Sequence, residues 1–214
     1  MYKEIIKRTL DLLFEKKYIL SKALLLPFLL LVIIEFYSTY DITESTNLYF
    51  LYALAALSFL VTIVMSIIVH RILLLPDEDT PAWGIYRFGR REITFILKGI
   101  GVALILGLTL FLLYFISNLL GKAIAGLLGS TVSLIYNIVI FILILGFIGM
   151  LFSRISLIFP AISIDKAIDF ADALDLSKNH KFLVFTTVLV IPVFFAVVVG
   201  FVYGLAIEFL MALI

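Results

Sequence analysis

The sequence contains no cysteine among its 214 residues, which excludes disulfide bonds and thiolate chemistry but does not identify the compartment. Charged residues are also scarce, at 14% of the chain, against about 25% in a typical soluble domain. Sixteen Lys and Arg residues against fifteen Asp and Glu residues give a net charge of +1. This balance leaves no basic excess for a polyanion, so a nucleic-acid-binding module is excluded.

Motifs of known enzymes are missing as well. The sequence has no H-E-x-x-H, no G-x-S-x-G and no phosphate-binding glycine loop. His70 and His180 each stand alone, which is typical of interfacial polar residues rather than of metal ligands or general bases. We therefore expect no catalytic site, no metal and no cofactor, and we predict that the protein is not an enzyme.

Apolar residues, in contrast, make up 64% of the chain, and the mean hydropathy is +1.24. A folded chain of this size cannot hide so much apolar surface from water. A soluble enzyme and a disordered scaffold are thereby excluded. The sequence predicts an all-α fold, a polytopic transmembrane helical bundle whose main solvent is lipid.

Five apolar runs predict five membrane spans within a single membrane domain, residues 1–214. Each crossing needs about 20 apolar residues in helical form. The predicted spans are residues 18–37, 48–70, 95–119, 132–158 and 182–206. Residues 121–130 are predicted as a short connection, and Pro160 as the end of the fourth helix, because proline cannot continue a helix interior.

The last apolar run, residues 182–214, leaves the number of spans open. As one continuous helix it would be roughly 50 Å long, which exceeds a hydrocarbon core of about 30 Å. We favour one kinked helix that protrudes from the membrane and gives five spans. The alternative is a break near Pro192 or Gly200, which would give six.

Two segments are predicted to be amphipathic helices outside the spans. In residues 1–17, apolar and charged side chains fall on opposite faces, which indicates a helix lying at the membrane surface; a solvated lead-in to the first span is the alternative. Residues 165–178 form a second such segment, a surface elbow before the last span. It would place Asp165, Asp169 and Asp172 on one helical face, which we interpret as a solvated acidic face rather than a cation site.

The basic residues predict how the chain is threaded. With the amino terminus in the cytoplasm, fifteen of the sixteen Lys and Arg residues fall on the cytoplasmic side and Lys122 falls on the other. Such a bias orients bacterial membrane proteins. We therefore predict a multi-pass protein of the cytoplasmic (inner) membrane with a cytoplasmic amino terminus.

Few polar side chains fall at mid-depth in the spans. They are Thr109, Tyr114, Tyr136 and Asn137. Coupled transporters usually need buried carboxylates, so this scarcity weighs against active transport. Glu35 and Glu208 lie near the outer ends of their spans, where we expect interfacial anchoring; the alternative pairs them with Lys122 as an outward-facing polar site.

Charged residues on the predicted cytoplasmic side suggest an interaction face, in which arginines of one connection pair with carboxylates of the elbow. The candidates are Arg87, Arg90, Arg91, Asp169 and Asp172. Small residues also recur at every fourth position in two spans, which lets helix backbones approach closely in lipid. These candidates for helix packing are Gly99, Ala103, Gly107, Ala196, Gly200 and Gly204. We expect packing within the chain first and a homo-oligomer contact second.

The segment from Arg154 to Phe182 reads RISLIFPAISIDKAIDFADALDLSKNHKF. Its pattern is an arginine, an apolar turn, Pro-Ala, a short helix with an Ala-Leu-x-x-Ser core, and a basic residue before the next span. The residues that carry it are Arg154, Leu157, Pro160, Ala161, Ala173, Leu174, Ser177 and Lys181. In this segment the chain resembles YciC-like bacterial inner-membrane proteins and the membrane domain fused to some glycerophosphodiester phosphodiesterases. The dipeptide His70-Arg71 is similar to a feature of related proteins.

This resemblance implies a bacterial cytoplasmic-membrane protein without an established reaction, in families that tend toward six spans. The chain contains no phosphodiesterase domain, so we expect no such activity. We predict a scaffold or accessory component whose partners are the lipid bilayer and a second copy or other membrane proteins. The alternative is a transporter or channel for small molecules or lipids, with a polar cavity lined by Tyr114, Tyr136 and Asn137 and by Glu35 or Glu208.

Overall fold

The computed structural model describes residues 2–40, 48–76 and 88–212, and most of these residues are helical, with no strand among them. The helices are α1 (Tyr2–Glu15), α2 (Lys17–Tyr40), α3 (Leu48–Leu74), α4 (Arg90–Leu128), α5 (Ser130–Ile155), α6 (Ile158–Ser163), α7 (Phe170–Leu176), α8 (Lys181–Phe185), a π-helical turn (Thr186–Val190) and α9 (Ile191–Ala212). Five of the helical runs are long and apolar enough to cross a membrane. The predicted all-α fold with five spans is therefore confirmed.

Many apolar side chains of the spans are exposed on the surface of the folded chain. Phe111 on α4 and Ile142 on α5, for example, are 64% and 62% exposed. Exposing such residues to lipid has no free-energy cost, whereas each backbone group without a hydrogen-bond partner would raise the free energy by roughly several kcal/mol. Helices that satisfy all their own backbone groups are therefore the structure that this composition dictates.

The predicted amphipathic helix of residues 1–17 is present as α1. Its apolar side chains Leu10, Leu13 and Phe14 are exposed on the surface of the folded chain, as a helix that lies on a membrane surface requires. The helix ends before Lys16, whose Nζ donates hydrogen bonds to the carbonyl oxygens of Ile72 (2.6 Å) and Leu75 (3.0 Å). A lysine from the amino-terminal segment thus caps the carboxyl end of α3.

The chain divides into two compact units, and the predicted single membrane domain of residues 1–214 stays a prediction. The first comprises Met1–Ile100 and Ile158–Ile168. Its α2 and α3 pack around Ala23, Ile68 and Ile72, which are fully buried. The core of this unit is therefore a helix pair joined by a small alanine on one side and β-branched residues on the other.

The second unit comprises Gly101–Leu157 and Asp169–Ile214. Here α5 packs against the α8 segment at Gly149, where an added Cβ would lie 2.9 Å from the Leu189 side chain and 3.1 Å from the Phe185 ring. A Cβ on Gly101 would lie 2.8 Å from the ring of Phe170. Both glycines therefore permit close helix contacts, and neither belongs to the predicted small-residue stripes.

The connection predicted at residues 121–130 is wrong: α4 continues to Leu128, and the turn to α5 consists of Gly129. Glycine weakens a helix by about 1 kcal/mol in water, but the cost of unpaired backbone groups in an apolar environment is larger, so the helix persists. It stops at Gly129 with a φ of 90°, a value that glycine adopts without strain.

Pro160 does not end the fourth helix as predicted. Helix α5 ends earlier, at Ile155, and Pro160 lies in the first turn of α6, where its missing N–H is not needed. The last apolar run is helical without a gap from Lys181 to Ala212, with a π-helical turn that ends at Val190, two residues before Pro192. This supports one span for that run and disfavours six spans.

The elbow is shorter than the predicted helix of residues 165–178. Helix α7 covers Phe170–Leu176, with Asp169 as its N-cap residue, and Asp165 lies in the segment before it. Asp165 therefore does not share a helical face with Asp169 and Asp172, which corrects that prediction. The reason is the backbone at Asp165, whose φ of 60° is incompatible with a continuing right-handed helix.

Candidate functional site

A left-handed residue ends α6 in the first unit. The backbone N–H of Lys166 bonds to the carbonyl oxygen of Ala161 (2.9 Å), and that of Asp165 bonds to Ile162 (3.0 Å). This pair of hydrogen bonds is the Schellman motif, in which glycine usually occupies the left-handed position. Aspartate at this position carries a conformational cost, so contacts made by its side chain are needed to hold it there.

Two arginines make those contacts with the Asp165 carboxylate. Arg91, in the first turn of α4, donates from Nε to Oδ1 (2.8 Å) and from NH2 to Oδ2 (2.9 Å), a bidentate fork. Arg71, in the last turn of α3, donates from NH1 to Oδ2 (3.1 Å) and to the carbonyl oxygen of Ser163 (3.0 Å). One carboxylate therefore joins the ends of two spans to the segment after α6, and we call Arg71, Arg91, Ser163 and Asp165 the Asp165 cluster.

The protonation of Asp165 follows from these partners. Hydrogen bonding from Arg91, assisted by the positive charges of Arg91 and Arg71, holds the pKa of the Asp165 carboxyl below its ordinary value, against a smaller opposing effect of burial. The carboxylate is therefore ionised throughout the neutral pH range.

Two further polar groups support the Asp165 cluster. The fully buried Ser163 hydroxyl donates to the carbonyl oxygen of Phe159 (2.9 Å), so His70 Nδ1, 3.2 Å from Ser163 Oγ, is the donor in that contact. Glu92, which is 2% exposed, accepts the backbone N–H of Gly89 (2.7 Å) and thereby caps α4 directly beside Arg91. The Asp165 cluster therefore lies at helix ends whose own polar groups are hydrogen-bonded.

The pH dependence of stability tests this arrangement. Because the folded-state pKa of Asp165 is lowered, its contribution is present above the unfolded-state pKa of about 4 and is lost as the pH falls through the folded-state value. We expect the difference in thermal midpoint between wild type and Asp165→Asn to be constant at neutral pH and to shrink below about pH 4. A difference that grows on acidification would contradict the cluster.

A second arginine contact lies in the other unit. Arg154, in the last turn of α5, donates from Nε to Ser177 Oγ (2.9 Å) and from NH2 to the carbonyl oxygen of Leu174 (2.7 Å). Ser177 is buried and its hydroxyl donates to the carbonyl oxygen of Ala173 (2.9 Å). Arg154, one of the residues that carry the resemblance described above, therefore has specific partners at the carboxyl end of α7.

A groove of about 650 Å³ runs between α4 and α5. Its lining includes Tyr114 and Asn137, two of the mid-depth polar residues singled out in the sequence, together with Ser117, Asn118 and Ser133. The buried Ser133 hydroxyl donates to the carbonyl oxygen of Gly121 (3.0 Å), which brings the two helices together at the end near Gly129.

The outward-facing polar site, predicted as an alternative, has its members in two units and stays a prediction. Glu35 lines a groove of about 460 Å³ between α2 and α3, with Ser38, Ser58 and Thr62, in the first unit. Lys122 belongs to the second unit, and the side chain of Glu208 lies outside the described residues.

The predicted cytoplasmic face is only partly described. Arg87 lies outside the described residues, and Arg90 is exposed at the start of α4. Arg91 binds Asp165, a carboxylate of its own unit, while Asp172 Oδ2 accepts the backbone N–H of Asp169 at the start of α7 (2.8 Å). Pairing of the arginines with Asp169 and Asp172 stays a prediction.

The small-residue stripes are little used within the chain. An added Cβ on Gly99 would lie 3.9 Å from the Phe159 ring, whereas those on Gly107 and Gly200 would meet no atom within 4 Å. Ala103 and Ala196 are exposed, and the surroundings of Gly204 lie outside the described residues. Among the described residues, packing within the chain, the first expectation for these stripes, is therefore seen only at Gly99, and a homo-oligomer contact, the second expectation, stays a prediction.

Sequence reasoning missed Asp165 and Ser163 as members of a site. The available signal was the pattern Ser163, Asp165 and Lys166, which follows an apolar run. Polar residues that follow an apolar run in this way are typical of a helix end. Comparison with known proteins adds no further guide, because no family model, no curated protein and no solved structure matches this chain.

Proposed function

We propose that this chain is a non-enzymatic scaffold or accessory component of a bacterial cytoplasmic membrane, with its amino terminus in the cytoplasm. The observation that carries the proposal is the Asp165 cluster, in which one carboxylate holds the ends of α3 and α4 and the segment after α6. On the proposed orientation this cluster faces the cytoplasm. A surface fixed by charge-assisted hydrogen bonds suits docking, because little conformational entropy is lost when a partner binds.

The bacterial membrane and the orientation rest on separate arguments. The segment from Arg154 to Lys181 supports a bacterial inner-membrane protein through its resemblance to such families. The basic residues support the cytoplasmic amino terminus, since fifteen of sixteen fall on that side of the five-span threading. Five spans then place the carboxyl terminus on the outer side.

Single-cysteine labelling tests the threading, and it does so without background because the sequence contains no cysteine. In intact cells, a membrane-impermeant thiol reagent is expected to label Lys122→Cys and Ile214→Cys. Lys166→Cys is expected to react with the reagent only after the membrane has been permeabilised. Labelling of Ile214→Cys from the cytoplasmic side would contradict five spans, and labelling of Lys166→Cys in intact cells would contradict the orientation.

Co-purification tests the scaffold proposal. The tagged chain, expressed at its native level and extracted with its surrounding lipid, is expected to retain a stoichiometric membrane-protein partner, measured by quantitative mass spectrometry. Asp165→Asn should lose that partner, whereas Asp175→Asn, a change at an exposed aspartate, should keep it. A chain without a stoichiometric partner that instead conducts a solute across reconstituted vesicles would overturn the proposal in favour of transport.

A further inference from the structure

The groove between α4 and α5 has chiefly polar side chains of α5 in the half toward the Gly129 turn and apolar side chains of α5 in the other half. The polar half is lined by Ser130, Ser133 and Asn137 of α5 and by Asn118 of α4. A smaller pocket of about 140 Å³ adjoins this half, shares Asn118, Ser133 and Asn137 with the groove, and adds Lys122. Farther along α5 the lining consists of apolar side chains.

The apolar part of the groove is formed chiefly by one face of α5. Ile138, Phe141 and Ile144 line it at helical spacing, opposite Tyr114 and Ser117 of α4. From Ser130 to Ile144 the groove extends about 21 Å at the helical rise of 1.5 Å per residue. Asn137 lies at the middle of this length, so the apolar part from Asn137 to Ile144 is about 10 Å long and takes part of an acyl chain.

The polar half lacks partners for its amides and its charge. Asn118 and Asn137 are exposed, and within the described part of the chain neither side chain makes a hydrogen bond. Lys122 is exposed beside them and is the one basic residue on its side of the proposed threading. Two amides and an ammonium group in contact with lipid need an acceptor, and preferably an anionic one.

We propose that this groove binds one anionic glycerophospholipid. An acyl chain lies along Ile138, Phe141 and Ile144, the phosphate is paired with Lys122, and the amides of Asn118 and Asn137 donate to the phosphate or glycerol oxygens. A second apolar helix in the groove would cover the isoleucines but would leave the amides and the lysine unpaired. The assignment to the outer leaflet rests on the proposed orientation, but binding itself does not depend on it.

Native mass spectrometry of the purified full chain tests the proposal, with phosphatidylglycerol as the anionic probe and phosphatidylcholine as the zwitterionic one. We expect one phosphatidylglycerol to be retained in preference to phosphatidylcholine. Lys122→Gln should lower the phosphatidylglycerol affinity about fivefold, the effect of one lysine on an anionic lipid. Lys181→Gln, a change at an exposed lysine elsewhere in the same unit, should leave the affinity unchanged.

A matched pair of substitutions tests the acyl-chain part of the groove. Ile138 and Ile135 lie on the same helix and are 54% and 57% exposed, but Ile138 lines the groove. Ile138→Trp should abolish the one-lipid complex, and Ile135→Trp should preserve it. Equal lipid retention by both variants would show non-specific annular lipid and overturn the proposal. A wild-type dimer that Ile138→Trp dissociates would also overturn it, since a second copy would then cover the groove.

Discussion

Asp165→Arg is expected to lower the stability of the protein by about 2 kcal/mol, which is well below the sum of its charge-assisted hydrogen bonds because the Asp165 side chain is 57% exposed and solvent screens it. The substitution replaces the shared acceptor by a third cation next to Arg71 and Arg91, whose side chains are 11% and 21% exposed. It also leaves the left-handed backbone at position 165 without its stabilising contacts. The measurement is the thermal midpoint of the detergent-solubilised protein, and size-exclusion chromatography monitors how much folded protein remains at each temperature.

The same charge reversal at Asp175 provides the control. Asp175 pairs with Lys178 on the surface (2.7 Å), with side chains that are 70% and 57% exposed. Exposed pairs of this kind contribute little, so Asp175→Arg should leave the thermal midpoint nearly unchanged. Adding Arg91→Asp to Asp165→Arg should restore part of the loss. Equal losses for Asp165→Arg and Asp175→Arg would show that the cluster has no stabilising role.

The spans could be predicted from the sequence because they depend on composition alone. A run of about 20 apolar residues has no alternative to a helix in lipid, whatever its neighbours are. The same rule explains why the predicted connection at residues 121–130 was wrong. Helix propensity measured in water counts against Gly121 and Gly126, but the hydrogen-bond requirement in an apolar environment overrides it until Gly129.

The Asp165 cluster could not be predicted, because its members are far apart in the chain. Periodicity assigned Asp165 to the helix of Asp169 and Asp172, whereas the Schellman turn ends α6 at this residue and its carboxylate binds Arg71 and Arg91. Which carboxylate an arginine meets depends on how α3, α4 and α6 pack, and helical periodicity within one segment contains no information about that packing.

The groove between α4 and α5 shows an intermediate case. Tyr114 and Asn137 were recognisable as polar residues within apolar spans, which is rare enough to attract attention in a sequence. Their association with Ser117, Asn118 and Ser133 depends on the antiparallel register of two helices. That register follows from the position of the Gly129 turn, which the sequence placed within a ten-residue connection.

Arg154→Met is the second substitution with a large expected effect, a loss of about 2–3 kcal/mol from two hydrogen bonds made by a charged donor. Methionine keeps the apolar stem but removes the charged donor from Ser177 Oγ and from the carbonyl oxygen of Leu174. Ser177→Ala removes one of the two acceptors, so its loss should be smaller. The thermal midpoint of the solubilised protein is again the measurement.

A double-mutant cycle separates this contact from simple anchoring of an arginine in the headgroup region. If Arg154 holds α7 through Ser177, the losses of Arg154→Met and Ser177→Ala should not add, and their coupling should be about 1 kcal/mol or more. Strict additivity, with Arg154→Lys as stable as wild type, would mean that Arg154 merely reaches the interface. Coupling would give the pattern of Arg154, Leu174 and Ser177 a physical reason: an arginine at the end of one span holds the elbow that leads into the next.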